Sequence, residues 1–370
     1  MKKTLIALAT LAATGAVMAQ SSVTIYGVID QAVTRTSNSN GGGSNTGLTS
    51  SANATNRLGF RGTEDLGGGL KAKFQIETNL AADAPTATTI GDRGAWVSVA
   101  SDSMGEVRLG REYNNAFWNP ILFTAWGTNG VGATIFHAAR GAYFGTGTGI
   151  GGAGAGAGFV GTSHATDPYI WNNNSISYIL PGNLGGVYGS IQYAFDEQAA
   201  AGNSLGQNTN MRIGYKAGAL DVALGYGAVD GQAAINDVKS LNIGASYDFG
   251  MVKVMAVWNE DKQKDAATGA AESKLSGYEI GAVMPMGPGR LRAAYGTVKV
   301  DDLNPATANV KANKFAIGYV YPMSKRTSVY TSYARVSNKN GAAFRLAPAG
   351  TAGTGNFTSS GIDFGISHTF

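Results

Sequence analysis

Short glycine turns and long polar loops alternate along this chain, and nearly every segment between them that has a readable period has a period of two. Tight turns such as 67–69, 103–105, 182–186, 287–289 and 324–326 take turns with long loops around 41–47, 81–91, 202–207, 262–271, 304–308 and 341–356. Sixteen alternating runs lie between them, beginning 23–34, 57–66, 70–80, 93–100 and 106–113 and closing with 358–370. Successive side chains of a strand face opposite sides, so each run builds a sheet with two unlike faces. In 70–80, Ala72, Phe74, Ile76 and Leu80 share one face, and Lys71, Lys73, Gln75, Glu77 and Asn79 the other. In 239–249, Leu241, Ile243, Ala245, Tyr247 and Phe249 oppose Asn242, Gly244, Ser246 and Asp248. No helical segment is available to cover the apolar face. A sheet closed on itself in lipid satisfies every backbone group, and alternating short and long connections mark an up-and-down closure with an even strand number. The expected fold is all-β, a sixteen-stranded antiparallel transmembrane β-barrel, with Tyr247, Phe249, Tyr319 and Tyr321 in its interfacial girdles. A soluble sandwich would not keep that alternation of connections.

The N-terminus reads differently. Met1-Lys2-Lys3 leads into an apolar run that ends at Ala16-Val17-Met18-Ala19, the charged, apolar and small-residue regions of a secretory signal peptide. Residues 1–19 are therefore expected to be cleaved, leaving Gln20 first and 20–370 as one barrel domain. Loss of Lys2 and Lys3 lowers the formal net charge from +4 to +2, so global charge names no partner, and no nucleic acid is expected. There is no cysteine, hence no disulfide and no thiol site.

Between Tyr113 and Phe195 only Arg140 and Asp167 carry a formal charge, and 114–172 has no strand or helix period. A structureless stretch this long inside a compact fold is normally functional. The expectation is a loop folded into the barrel lumen, narrowing a pore. Within it, Gly147-Thr148-Gly149-Ile150-Gly151-Gly152 matches a phosphate-cradling spacing, but the alternating glycines that follow cannot start a helix, and no nucleotide is expected. His137, His164 and His368 have no metal-ligand spacing, and no nucleophile, base and acid cluster is readable, so no cofactor, metal or catalysis is expected. Arg57 and Arg61 share a face opposite Leu58, Phe60 and Gly62, which points both into interior water. The parity of Arg111 is confused by Leu109 and Tyr113. The runs at 23–34 and 93–100 sort poorly, with Val97 and Val99 on the face of Arg93 and Trp96 opposite; packing against another protomer is one account.

Four segments resemble the Gram-negative general porins of the β-proteobacterial kind: 21–30 (SSVTIYGVID), 56–72 (NRLGFRGTEDLGGGLKA), 109–113 (LGREY) and the C-terminal 365–370 (GISHTF). The resemblance covers essentially the whole mature chain. It implies a homotrimer in the Gram-negative outer membrane, reached through the export and barrel-insertion machinery and surrounded by outer-membrane lipid and lipopolysaccharide. It also implies an inward third external loop and a basic constriction wall. Arg57 and Arg111 look like members of that wall, Arg61 and Arg93 sit where the family often carries a base, and Arg140 is a candidate within the loop. Where members often carry a further arginine, this chain reads Ile170-Trp171-Asn172-Asn173. Phe364, Ile366, His368 and Phe370 share one face and resemble the signal read by the insertion machinery.

The function expected is passive diffusion of ions and small hydrophilic solutes, with an anion preference. Two other readings stay open. One is a substrate-selective pore in which Trp118, Phe123, Trp126 and Trp171 line a stacking track, and the other is a surface adhesin or receptor that uses the barrel only to display loops.

Overall fold

The computed structural model describes residues 22–83, 89–136, 170–195, 207–230, 237–264, 272–301, 309–346 and 353–370. The expected signal peptide, Arg140, His137, His164 and the glycine-rich run at 147–158 lie outside the described residues. Seventeen strands are present among them: β1 (Ser22–Asn38), β2 (Ser44–Ser50), β3 (Arg57–Gly67), β4 (Leu70–Asn79), β5 (Gly94–Ser101), β6 (Gly105–Tyr113), β7 (Trp171–Ile179), β8 (Val187–Ala194), β9 (Asn208–Ala217), β10 (Leu220–Val229), β11 (Val238–Asp248), β12 (Lys253–Lys264), β13 (Glu272–Met286), β14 (Gly289–Asp301), β15 (Val310–Pro322), β16 (Thr327–Lys339) and β17 (Thr358–Thr369). Every pairing is antiparallel between neighbours, and β17 pairs back on β1 from Val28↔Thr369 to Asn38↔Ser359, so the sheet closes.

Seventeen strands make sixteen staves because β2 and β3 share one. β2 pairs with the outer half of β1 (Ser37↔Ser44 to Gln31↔Ser50) and β3 with the inner half (Val28↔Arg57 to Ser22↔Thr63). The sequence marks 41–47 as loop; the structure corrects this to a hairpin. Asn40 and Gly41, at φ 56° and 79°, turn β1 into β2, the left-handed pair that suits the twist of a two-residue hairpin. The polar run of β2 escapes a pattern search because alternation is imposed only where one face meets lipid.

The stave breaks at 51–56, where Ser51 takes φ 66°. Asp30, fully buried on β1, holds the break: its carboxylate accepts from the backbone N–H groups of Ala52 (3.0 Å), Asn53 (3.3 Å) and Ala54 (3.0 Å) and from the Tyr330 hydroxyl of β16 (2.5 Å). Asp30→Ala should leave these buried donors without an acceptor, at about 1–3 kcal/mol for each one that water cannot reach. A lowered unfolding temperature in detergent is the expected readout, and an unchanged one would show that the break holds itself.

The faces sort as the alternation predicts. Val23, Ile25, Ile213, Ile243, Ile280 and Phe364 are exposed on one side, while Asp30, Asn210, Asn242, Glu279, Lys314 and Asp363 are buried on the other, which is the inside of the ring. The poor sorting at 93–100 is explained by a shift of one residue. Arg93 precedes β5, and within the strand Val97 and Val99 face out while Trp96 and Ser98 face in. The largest apolar cluster also lies inside the ring, where Val257, Val298, Ala312, Ala334 and Val336 meet Phe123, Trp126, Ile135, Phe136, Phe344 and Leu346.

Candidate functional site

Two groups of residues involve the inward-facing side chains of the strands. The first is the described part of the long loop. Asn114 accepts from the Ala116 N–H (2.9 Å) and caps a 3₁₀ turn, Asn115–Phe117, which runs into the short helix α1 (Trp118–Leu122). From there the chain is fastened to inner-face side chains of widely separated strands. Asn119 donates to Asn242 of β11 (2.8 Å) and accepts from Arg212 Nε of β9 (2.7 Å). Trp126 Nε1 donates to Ser332 of β16 (3.2 Å), with the Arg292 guanidinium of β14 4.7 Å from its ring. Asp363 of β17 accepts from the Val131 N–H (3.3 Å), Glu279 of β13 from the Ile135 N–H (3.1 Å), and Lys314 of β15 donates to the Ala133 carbonyl. On the other side Thr55, in the break between β2 and β3, donates to Asn129 (2.9 Å).

The second group is a charged wall on β1 and β3–β6. In register, Arg57 opposes Val28 and Asn79, and Arg61 opposes Thr24 and Gln75, all inward positions. Glu77 is the carboxylate of this group. It accepts from Arg93 Nε (2.8 Å) and the Tyr26 hydroxyl (2.9 Å), and Arg57 Nε stands 3.7 Å away. Arg93 also donates to the Tyr113 hydroxyl (2.6 Å), which buries it against the base of the long loop. Arg61 lies 4.9 Å from the Tyr26 ring and has no carboxylate partner among the described residues. Arg57, Arg61 and Arg93 are thus brought together. Arg111 stands in register opposite Ala95, on the outward parity of Leu109 and beside a bulge between Gly110 and Glu112 in the pairing with β7, and its guanidinium lies 5.4 Å from the Trp171 ring that Arg93 approaches to 5.5 Å. Its guanidinium turns to the Asp92 carbonyl (2.8 Å) and Asn173.

One cluster went unread. Arg108 lies 3.8 Å from the Trp96 ring and donates to Glu106 (2.9 Å) and Glu112 (2.8 Å), while Lys73 reaches Glu106 from β4 (2.9 Å). Arg61, Lys73, Trp96, Glu106 and Arg108 line a cavity of about 290 Å³. The signal was present, since Glu106, Arg108 and Glu112 share parity. The four aromatics of the alternative reading do not form an open stacking track. Phe123, Trp126 and Trp171 are 1%, 3% and 6% exposed, taken up in packing, and Trp118 is only half-buried.

At the C-terminus Phe364, Ile366 and His368 face outward. Phe370 pairs its backbone with Gly27 through two bonds of 3.1 Å and lays its ring where a Gly27 side chain would be.

A closed barrel with an apolar exterior and a charged, partly open interior defines a membrane channel of the outer-membrane type. Residues 4–341 match the family described as Gram-negative porin, and the chain belongs to that family. It is 34% identical to outer membrane porin protein 32 of Delftia acidovorans over the full length of both chains. It is 29% identical to an outer membrane porin protein of Bordetella pertussis, over 69% of this chain and 68% of that one. Among solved structures, the anion-selective porin from Comamonas acidovorans superposes with a TM-score of 0.79 at 30% identity, covering 95% of this chain and 100% of that one. The protein is an outer-membrane porin.

Proposed function

We propose that the pore is a passive diffusion channel for ions and small hydrophilic solutes that favours anions, and that residues 114–136 are its inward-turned constriction. One observation carries the preference. On the inner wall beside β3–β5, Arg57 and Arg93 share one carboxylate, Glu77, and Arg61 has none among the described residues. The selectivity named for the Comamonas protein supports the same reading. The loop assignment is supported by geometry, since one short segment bonded to inner-face residues of β9, β11, β13, β15, β16 and β17 has to run through the ring. Planar-bilayer recording tests it: open, ohmic, anion-favouring channels are expected, and a protein that inserts without conducting would sink it.

The outer wall supports assembly as a homotrimer. Each strand from β7 to β16 carries an outward tyrosine or tryptophan, such as Tyr178, Tyr215, Trp258, Tyr278 and Tyr333. The outward positions of β17, β1 and β2–β6 carry neither. Tyrosine and tryptophan belong at the headgroup level of lipid-facing surface. The stretch that lacks them, bearing Val23, Ile25, Val97, Val99, Val107 and Leu109, suits contact with other protomers.

The terminal phenylalanine serves closure and, as part of the outward C-terminal face, recognition by the insertion machinery. Deletion of Phe370 should sharply lower the yield of heat-resistant trimer on unboiled gels; an undiminished yield would show that neither role is needed.

A further inference from the structure

Two residues nearer the short turns than the row of Tyr26 and Glu77, the cavity of the inner wall has two sides of different kind. One side is already satisfied. Lys73 and Arg108 both bond Glu106 at 2.9 Å, and Arg108 also bonds Glu112 and lies over Trp96. On the other side the lining side chains are Arg61, Ser22, Thr24, Thr63 and Gln75, none of which has a hydrogen-bond partner among the described residues. Elsewhere the inner wall closes such groups on one another: Asn172 and Asn210 both donate to Gln192, and Asn208 donates to Asn172.

The register sets the unpaired groups out as a patch. Thr24, Arg61 and Gln75 are direct neighbours across β1, β3 and β4, and Ser22, Thr63 and Lys73 form the next row toward the short turns. Two strand spacings and two residues of rise make this patch about 10 Å by 7 Å.

Arg61 is supported from one side. The Tyr26 ring takes the place of a side chain at Gly59, where a Cβ would lie 2.2 Å from it, and its hydroxyl donates to Glu77 (2.9 Å). Arg61 stands 4.9 Å from that ring. Contact through the guanidinium face leaves the N–H edges for an acceptor, and their fork matches the two oxygens of a carboxylate.

Charge and hydrogen bonding together define the ligand. Lys73 and Arg108 are matched by Glu106 and Glu112, so the cavity keeps one unmatched positive charge, that of Arg61. Around it stand three hydroxyls and an amide, which both donate and accept. An apolar body placed there would cover these groups without pairing them, at a cost, whereas a body carrying hydroxyls would pair them. The volume, about 290 Å³, is at the lower end of small-molecule sites.

We propose that this cavity binds a small polyhydroxylated monocarboxylate, a sugar acid, held by its carboxylate on Arg61 and by its hydroxyl groups on Ser22, Thr24, Thr63 and Gln75. This rests on the interior being a water-filled diffusion path, and it adds to the anion preference a saturable step for one class of solute. The test titrates purified protein in detergent with three probes: gluconate; hexanoate, with the same carbon count and charge but no further hydroxyl; and glucose, with hydroxyls and no charge. Saturation-transfer NMR reads binding without requiring conduction. Gluconate should half-saturate the protein at a concentration at least about five-fold lower than either of the others. The Thr24→Val, Thr63→Val, Gln75→Leu variant removes no charge. It should bind gluconate at least about ten-fold more weakly and hexanoate within about two-fold of the unmodified protein. In planar bilayers gluconate should reduce the chloride current saturably, far less so in the variant, and the variant should keep its chloride preference over potassium. Equal binding of gluconate and hexanoate, equal binding of gluconate and glucose, undiminished gluconate binding by the variant, or an equal reduction of current in both proteins would each overturn the proposal. Selective gluconate binding by a protein that does not conduct would instead sink the channel reading and support the site. If the triple variant does not assemble, Thr63→Val and Gln75→Leu singly carry the same test, each with a loss of about two- to five-fold.

Discussion

In a KCl gradient near 0.1 M, the reversal potential should show chloride crossing ahead of potassium, and the Arg57→Ser, Arg61→Ser variant should lose most of that preference. The sign follows from the carboxylates. Lys73 and Arg108 are matched by Glu106 and Glu112, so that part of the wall is neutral. Arg57 and Arg93 share the Glu77 carboxylate as their one ion-pair partner and Arg61 has none among the described residues, which leaves two positive charges in excess of the ion pairs. An ion passing ~8 Å from one net charge, at an effective dielectric of 40 to 80, gains roughly 0.5–1 kcal/mol. Two such charges give about 1–2 kcal/mol, or roughly five- to thirty-fold before screening. The Debye length falls from about 10 Å at 0.1 M to about 3 Å at 1 M, so the preference should shrink as salt rises. Substituting both arginines leaves Arg93 paired with Glu77 and the wall close to neutral. Arg111→Ser serves as the control and should change little, because Arg111 stands in register on the outward side and its guanidinium is bonded to the Asp92 carbonyl and Asn173. Potassium preference in the unmodified channel, or an unmoved reversal potential in the double variant, would refute the assignment.

Trp126→Ala should widen the channel. Trp126 is 3% exposed at the centre of the interior cluster, bonded to Ser332 and covered by Arg292. Its ring sits so close to Gly132 that a side chain there would lie 2.5 Å from it, so the two sides of the segment are held by a single group. Truncating a buried tryptophan costs about 3–5 kcal/mol. The cost should fall on the local packing of 123–136, because the staves are held by their own hydrogen-bond ladders. Arg292, whose Nε and Nη2 already have no hydrogen-bond partner, would also lose the ring it lies against. The expected outcome is a trimer of ordinary yield with a higher and noisier single-channel conductance. A conductance indistinguishable from the unmodified channel would show that Trp126 does not hold the constriction in place.

The staves were legible in the sequence because a wall between lipid and water imposes period two on each strand separately. Leu241 through Phe249 and Ala72 through Ile76 could be sorted residue by residue, and the inward direction of Arg57 and Arg61 followed from the same rule. The aperiodic stretch 114–172 gave the expectation of an inward loop, and the four family-like segments implied the same. What stayed hidden depends on partners far away in the chain. β2 carries no alternation, and its pairing with β1 is visible only once Asp30 and Tyr330, 300 residues apart, are seen to clamp the break beside it. Arg93 gained its inward place from a one-residue shift in where β5 begins, and the partners of Arg111, the Asp92 carbonyl and Asn173, lie 19 and 62 residues away. Phe123, Trp126 and Trp171 look like an open aromatic track as a string of letters; only the assembled interior shows them buried.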